Sequence, residues 1–320
     1  MRRIGVMTSG GDAPGMNAAV RAVVRTAVER GLEVLGIERG FHGLLHGHVR
    51  PMGSSSVSGI INRGGTILRT ARSAEFRTPE GQGRATRQIA ENGIDGLVII
   101  GGDGSYRGGL AVHRACGVRV AGVPGTIDND IPGTEYTIGF DTAVNTALEA
   151  IDKIRDTATS HDRVFVVEVM GRLNGAIALT VSIAGGAEAA IIPEVRHDML
   201  RLCQRIQTWQ DRGKLSCIIV VAEGAARGSD IAATITQVTG IETRLAVIGH
   251  IQRGGAPSAR DREMATRFGA EAVCALLDGE EATMVGLMRG CTVRSPIESV
   301  ECGSRPLDEG LLALVDVMAT

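Results

Sequence analysis

Apolar residues in this chain follow two rhythms. Short unbroken runs, Ile4 to Met7, Gly96 to Ile100, Val118 to Val123, Val164 to Val169 and Cys217 to Ala222, have the length and Val/Ile content of strands covered on both faces. Between the runs, apolar positions recur at helical spacing. Val20, Val23, Val24, Ala27 and Val28 fall at i, i+3, i+4, i+7 and i+8, and Gly31 supplies the stop. Further helices are predicted near 82–92, 105–116, 141–158, 198–212 and 257–277, with short strands at 32–37 and 245–248. Strand-then-helix repetition predicts a parallel α/β architecture. Residues 38–80, rich in glycine, serine and histidine, read as a long irregular region, the kind that is usually functional. Ala176 to Ile192 is the most apolar long stretch, yet Glu188 and two glycines interrupt it, so a core helix followed by a strand explains it better than a membrane span.

Three of the strands end in similar loops. Ile4–Met7 leads into Thr8-Ser9-Gly10-Gly11-Asp12-Ala13-Pro14-Gly15, Gly96–Ile100 into Gly101-Gly102-Asp103-Gly104-Ser105, and Val118–Val123 into Pro124-Gly125-Thr126-Ile127-Asp128-Asn129-Asp130. In open α/β sheets ligands bind at the carboxyl ends of strands. Glycines admit a phosphate close to the backbone, and the helix that follows offers its N-terminus to negative charge. Aspartates beside phosphates repel them unless a divalent cation lies between, so the combination points to Mg²⁺-assisted phosphoryl transfer. Asp128 and Asp130 suit a general base and a second carboxylate that lies near a metal or acts as its electrostatic partner, although taken alone the loop is also an ordinary acidic turn. Neither the P-loop nor the dinucleotide fingerprint occurs at these turns.

Composition narrows the partners. The 320 residues allow one large domain or two, and with 2% aromatics the core must be built from aliphatic side chains. A formal charge of −2 argues against a nucleic-acid or membrane surface, and scarce aromatics leave few stacking platforms for single strands. The six cysteines, Cys116, Cys203, Cys217, Cys274, Cys291 and Cys302, form no C-x-x-C pair, and the apolar run before Thr8 is too short for a signal peptide. These features fit a reduced, cytoplasmic enzyme.

The blocks Gly10 to Asn17, Gly102 to Ser105, Pro124 to Asp130, Glu168 to Arg172 and Gly249 to Gly255, in that order, resemble bacterial ATP-dependent 6-phosphofructokinase over nearly the whole chain, fading after about residue 285. The resemblance implies two similar parallel-sheet, Rossmann-like α/β domains: 1–138 plus 251–301 for the nucleotide, and 139–250 plus 302–320 for the sugar phosphate, with the active site in the cleft between them. It also implies transfer from ATP to O1 of fructose 6-phosphate with Asp128 as general base, assisted by Thr126, Arg172 and Arg72. ATP would lie on Gly11, Arg72, Ser73, Arg77, Gly102, Asp103, Gly104 and Ser105, with Asp103 toward Mg²⁺. Fructose 6-phosphate would meet Thr126, Ile127, Asp128, Arg163, Met170, Gly171, Arg172, Glu223, Arg244, His250 and Arg253. Pyrophosphate-dependent relatives place Asp where Gly104 stands and Lys where Gly125 stands, so two glycines favour ATP. Other readings are a pyrophosphate-dependent enzyme, a kinase for NAD or another sugar phosphate, and a nucleotide or sugar-phosphate sensor.

The resemblance further implies a homo-oligomer, usually a tetramer, in which Arg163 and Arg244 reach a neighbouring subunit's substrate. A second anion site for ADP or phosphoenolpyruvate would use Arg21, Arg25, Arg155, Glu188, Arg212 and Lys214. Here the chain departs from the pattern: Ser54 replaces a usual arginine, Gly59 a common aspartate, and Leu215 and Ser216 polar or basic neighbours of Lys214. An altered site that keeps phosphoenolpyruvate inhibition better than ADP activation is expected. His42, His46, His48, His113 and His197 have no matching role and read as solvent-facing or loop residues, and Trp209 as packing.

Overall fold

The computed structural model describes residues 1–158, 163–214, 216–301 and 305–319; Leu215 and Cys302 lie outside them. In chain order the elements are β1 (Arg3–Thr8), α1 (Met16–Glu29), β2 (Glu33–Ile37), α2 (Gly40–Leu45), β3 (Val49–Met52), α3 (Pro79–Glu91), β4 (Gly96–Gly101), α4 (Asp103–Cys116), β5 (Arg119–Pro124) and α5 (Phe140–Ala158). They continue with β6 (Val164–Val169), α6 (Ala176–Ala184), β7 (Ala189–Ile191), α7 (Met199–Asp211), β8 (Cys217–Ala222), α8 (Gly228–Thr239) and β9 (Thr243–Val247). The last are α9 (Ala259–Asp278), β10 (Ala282–Met288), β11 (Cys291–Pro296), α10 (Ile297–Glu301) and α11 (Glu309–Met318). Ala176 to Ile192 is thus a helix and a strand, and among the described residues no helix is long and apolar enough to cross a membrane. The chain divides into two compact units, one of Met1–Ile127, Ile131–Thr142 and Arg253–Arg305, the other of Asp128–Asp130, Ala143–Gln252 and Pro306–Thr320.

The first unit holds a seven-stranded sheet in the order β11-β10-β5-β4-β1-β2-β3. Its five central strands are parallel, as the parallel α/β reading expects, and β3 and β11 run antiparallel at the two edges. β3 lies in the stretch read as irregular, as does α2. One is four residues long and the other six, too short for either periodicity to register, and Pro51 is tolerated in β3 because an edge strand can do without one N–H donor. α3 begins at Pro79 rather than near 82, because the Thr78 side chain accepts from Gly81 N at 3.1 Å and proline suits the first helical position. β4 is buried along its whole length, as its unbroken apolar run requires. Ile99, Tyr106, Leu110, Phe41 and Phe76 belong to the core on one side of it.

The second unit carries a four-stranded, wholly parallel sheet in the order β7-β8-β6-β9. β8 is buried throughout, and Val166, Cys203, Ile206, Ile219 and Ile235 are among the residues that pack its core. Strand order decides where chemistry can sit. From β1 the chain moves outward to β2 and β3, then returns to place β4 on the other side of β1. Neighbouring strands whose connections leave in opposite directions open a crevice at their carboxyl ends, and in the first unit that point falls between β1 and β4.

Candidate active site

The three Gly-Asp loops follow β1, β4 and β5, which are adjacent in the first sheet. Their starts are joined by backbone hydrogen bonds: Ser9 N donates to the Ile100 carbonyl at 2.9 Å and Gly125 N to the Gly101 carbonyl at 3.0 Å. Gly102, Asp103, Gly104 and Ser105 form the N-terminal turn of α4, where free backbone N–H groups and the helix dipole favour an anion. Gly104 is exposed, and a Cβ built on it would meet nothing within 4 Å. At Gly125 a Cβ would come 3.1 Å from both the Ile100 and Met16 side chains, so a lysine there would have to displace both. Asp128 follows the buried Ile127 and is itself only 2% exposed. Asn129, next in the chain, takes φ 51°, a left-handed conformation that asparagine accepts more readily than most residues.

Other residues of the first unit, including Arg253, expected at the sugar phosphate, and Arg72 and Arg77, expected at the nucleotide, are held by contacts of their own. Arg253 reaches the first loop, its Nη1 donating to the Asp12 carbonyl at 3.1 Å and lying 2.7 Å from where a Cβ on Gly11 would be. Arg72 and Arg77 are exposed, and the segment carrying them is anchored by Ser73 Oγ accepting from Phe76 N at 3.2 Å and by Phe76 stacking on Phe41. Asn17, at the start of α1, organises the loop of residues 63–67 by accepting from Ile67 N at 2.8 Å while donating to the carbonyls of Arg63 and Gly64. Asp103 is half-buried and accepts from Arg107 at 2.8 Å. Among the described residues no three His, Cys, Asp or Glu side chains converge on a metal position. Mg²⁺ is commonly held by one or two carboxylates together with substrate phosphates, and Asp103 fits that arrangement as a single protein ligand.

In the second unit the structure gathers some of the predicted sugar-phosphate residues and separates others. Met170, Gly171 and Arg172 follow β6, Glu223 follows β8, and His250 lies just beyond β9, all at the carboxyl ends of neighbouring parallel strands. Glu223 Oε1 accepts from Arg172 N at 3.0 Å, which fixes a turn with Gly171 at φ 143° and Arg172 at φ 54°. The first of these angles is one that only glycine adopts without strain. Arg163 and Arg244, by contrast, stand at the amino-terminal ends of β6 and β9. The six residues of β6, Val164–Val169, separate Arg163 from Met170, roughly 20 Å at the rise of an extended chain. The two arginines share Glu242: Arg163 Nε donates to it at 2.9 Å and Arg244 pairs with it as well. The hydrogen bond from Arg163, then the nearby cationic charges, hold the Glu242 carboxyl below the usual carboxylate range.

Three of the expected effector residues of the second unit, Arg155, Glu188 and Lys214, are engaged with their own chain. Arg155 donates to the carbonyls of Gly185 and Gly186 at 2.6 and 2.7 Å. Lys214 pairs with the buried Glu188 at 3.2 Å, donates to the Ala319 carbonyl at 3.1 Å and lies 5.5 Å from the Trp209 ring centre. Glu188 also accepts from Ile218 N at 2.6 Å. Arg212 is exposed at the end of α7, while Arg21 and Arg25 lie on α1 in the first unit. Ser54 opens a short 3₁₀ turn, and Gly59 has open space around its Cβ position. The histidines read as solvent-facing or loop residues include a cluster. The rings of His42, His46 and His48 cluster with centroids 4.6 to 6.1 Å apart, and His113 on α4 places Nδ1 3.0 Å from the Val118 carbonyl.

Two polar residues are more central than the sequence suggested. Gln252 is fully buried; its Oε1 accepts from Met170 N at 2.8 Å and its Nε2 donates to the Ala143 carbonyl at 3.2 Å, orienting the turn that presents Arg172. It lies inside the Gly249–Gly255 block, so a signal was present. Asp261 is also fully buried, near the start of α9, and no sequence pattern singles it out.

Comparison with known proteins places this arrangement in a family. A family model described as phosphofructokinase matches residues 3–276. An ATP-dependent 6-phosphofructokinase 1 from Thermus thermophilus is 54% identical over 321 residues, covering 100% of both chains. The ATP-dependent 6-phosphofructokinase of Clostridium tetani is 58% identical over 287 residues, 90% of each. Among solved structures, a phosphofructokinase from Saccharomyces cerevisiae superposes with a TM-score of 0.88 at 36% identity, covering 100% of this chain, which spans 47% of that one. A pyrophosphate-dependent phosphofructokinase from Marinobacter aquaeolei has a TM-score of 0.85 at 23% identity, covering 98% of this chain and 91% of that one, a likeness of fold alone.

Proposed function

The chain belongs to the phosphofructokinase family, and from that premise we infer that it transfers the γ-phosphoryl group of ATP to O1 of fructose 6-phosphate, giving fructose 1,6-bisphosphate and ADP in the committed step of glycolysis. The observation that carries the choice of donor is Gly104, an exposed glycine in the first turn of α4 with open space where a side chain would project. A nucleoside can extend past that turn, whereas a bare diphosphate gains nothing from the gap. Gly125 supports the same choice, since it brings no cation to the site.

Asp128 accepts the proton of the O1 hydroxyl. The freed oxygen then attacks the γ-phosphorus in line, forming the new O–P bond as the bond to the β-phosphate oxygen breaks and ADP departs. Thr126 and Ile127 set the approach of the sugar beside Asp128. Arg172, held by the Glu223 contact to its backbone, and the exposed Arg72 offer cations to the transferring phosphoryl group. Asp103 would hold Mg²⁺ together with the nucleotide phosphates, and the ion would supply charge neutralisation there. Met170, Gly171, His250 and Arg253 bind the sugar phosphate. A coupled assay on fructose 6-phosphate with each donor tests the reading: turnover with ATP and none with pyrophosphate is expected, and equal specificity constants would refute the role given to the two glycines.

The separation within the second unit supports a reading of the assembly. Arg163 and Arg244 stand at the opposite end of the sheet from Arg172, Glu223 and His250, so one chain's sheet does not direct all of them to one sugar phosphate. We propose a homo-oligomer, a tetramer by resemblance, in which these two arginines complete a neighbour's site. Mixing Arg244→Ala subunits with Asp128→Asn subunits is expected to restore activity above either parent. Verified subunit exchange with no such gain would confine the site to a single chain.

A further inference from the structure

We propose that Asp261 is a positioning residue for phosphoryl transfer, acting through the strap of residues 136–142 to fix the segment that presents Asp128; the proposal rests on the assignment of Asp128 as general base. Asp261 is fully buried within the first unit. Its Oδ1 accepts from the Tyr136 hydroxyl at 2.8 Å and from Gly139 N at 2.6 Å, and its Oδ2 from Thr142 N at 2.9 Å and Thr142 Oγ1 at 2.5 Å. Ser258 N in turn donates to Thr142 Oγ1 at 2.9 Å, and Ser258 Oγ caps α9 by accepting from Asp261 N. One carboxylate therefore gathers both ends of the strap onto the start of α9.

A buried carboxylate is costly unless hydrogen-bonded, and four donors are what this one has recruited. Burial pushes the carboxyl above its ordinary value, while the Thr142, Gly139 and Tyr136 hydrogen bonds pull the other way. Burial, followed by the neighbouring Asp261, pushes the Tyr136 phenol up, so Tyr136 stays a donor.

The strap touches the catalytic segment directly. Ile138 N donates to the Pro124 carbonyl at 2.8 Å, and Ile138 bridges Gly125 in parallel pairing. Gly139, at φ 104°, lies so close that a Cβ there would stand 2.7 Å from Ala13, 3.2 Å from Ile127 and 3.3 Å from Pro14. Ile127 is the residue before Asp128. The chain from Asp261 through Gly139 and Ile138 to Pro124–Ile127 thus backs the loop from behind. The N-terminal turn of α4 that meets the nucleotide has no hydrogen bond to Asp261 among those that hold the strap. A shift of the base by about 1 Å is enough to lose roughly a hundredfold in rate.

Asp261→Asn preserves volume but sets an amide among groups that all donate. It is expected to lower kcat by roughly ten- to a hundredfold, with KM for ATP within about threefold of wild type. The decisive measurement repeats the substitution in the Asp128→Asn background, where it is expected to cost less than about threefold, because a residue that acts through another has little left to affect. The same proportional loss in both backgrounds would overturn the role of Asp261 while leaving Asp128 intact. Full turnover in Asp128→Asn alone would instead remove the premise. Should Asp261→Asn fail to fold, Tyr136→Phe and Thr142→Val decide the matter. Each removes one donor, and lowered kcat with KM for ATP and thermal midpoint near wild type supports the proposal, whereas unchanged kcat in both refutes it.

Discussion

Asp128→Asn is expected to lower turnover by ~10²–10⁴-fold, the usual worth of a positioned general base, while the protein remains folded. Asparagine keeps the shape of the side chain and one carbonyl oxygen, so the packing of a residue only 2% exposed changes little. What it loses is basicity. With Asp128 as the proposed base, the O1 hydroxyl then loses the group proposed to take its proton as the bond to phosphorus forms, and the loss is expected on kcat rather than on substrate binding. Steady-state rates from a coupled assay, with far-UV circular dichroism and a thermal midpoint on the same preparation, would check it. Turnover close to wild type in a folded variant would assign the proton transfer elsewhere.

That loop was legible in the sequence because its strand is an unbroken apolar run and its turn is dense in Gly, Asn and Asp. Both signals are local, and the same holds for the loops after β1 and β4. The sequence does not display their adjacency: β5, β4 and β1 are neighbours only because the chain crosses back over β1, and crossing is a property of topology. Arg163 and Arg244 illustrate the limit in a second way. Resemblance assigned them to the sugar phosphate, but only the register of β6 with β9 places them together on Glu242 and away from Arg172. α2 and β3 escaped notice because elements of six and four residues hold too few apolar positions for a period to emerge. Asp261 escaped for the opposite reason. It is one acid among many in an amphipathic helix, and its importance lies in partners 119 to 125 residues earlier, which no local pattern encodes.

Gly104→Asp is expected to reduce kcat/KM for ATP by about a hundredfold without destabilising the protein. The fold has room for the substitution, since a Cβ at this position meets nothing within 4 Å. The first turn of α4 also favours a carboxylate through the helix dipole, so the thermal midpoint should hold or rise slightly. The penalty falls on the donor. A carboxylate about 6 Å from one triphosphate charge, at an effective dielectric constant of roughly 20, is repelled by about 3 kcal/mol, or about two powers of ten in binding. Asp103 stands beside it and already accepts from Arg107, so the added charge has no unengaged cation in this ion pair to offset it. Gly104→Ala separates the two causes, because it fills the same space without charge and should lose much less. Pyrophosphate use should not appear in return, because Gly125 still contributes no ammonium group and the Ile100 and Met16 side chains crowd the position where one would have to enter. KM for fructose 6-phosphate should stay near wild type, since Met170, Arg172 and Glu223 are carried by a different sheet. An unchanged specificity constant for ATP in Gly104→Asp would mean that the nucleotide does not pass over this turn, and donor choice would then have to be assigned to other residues.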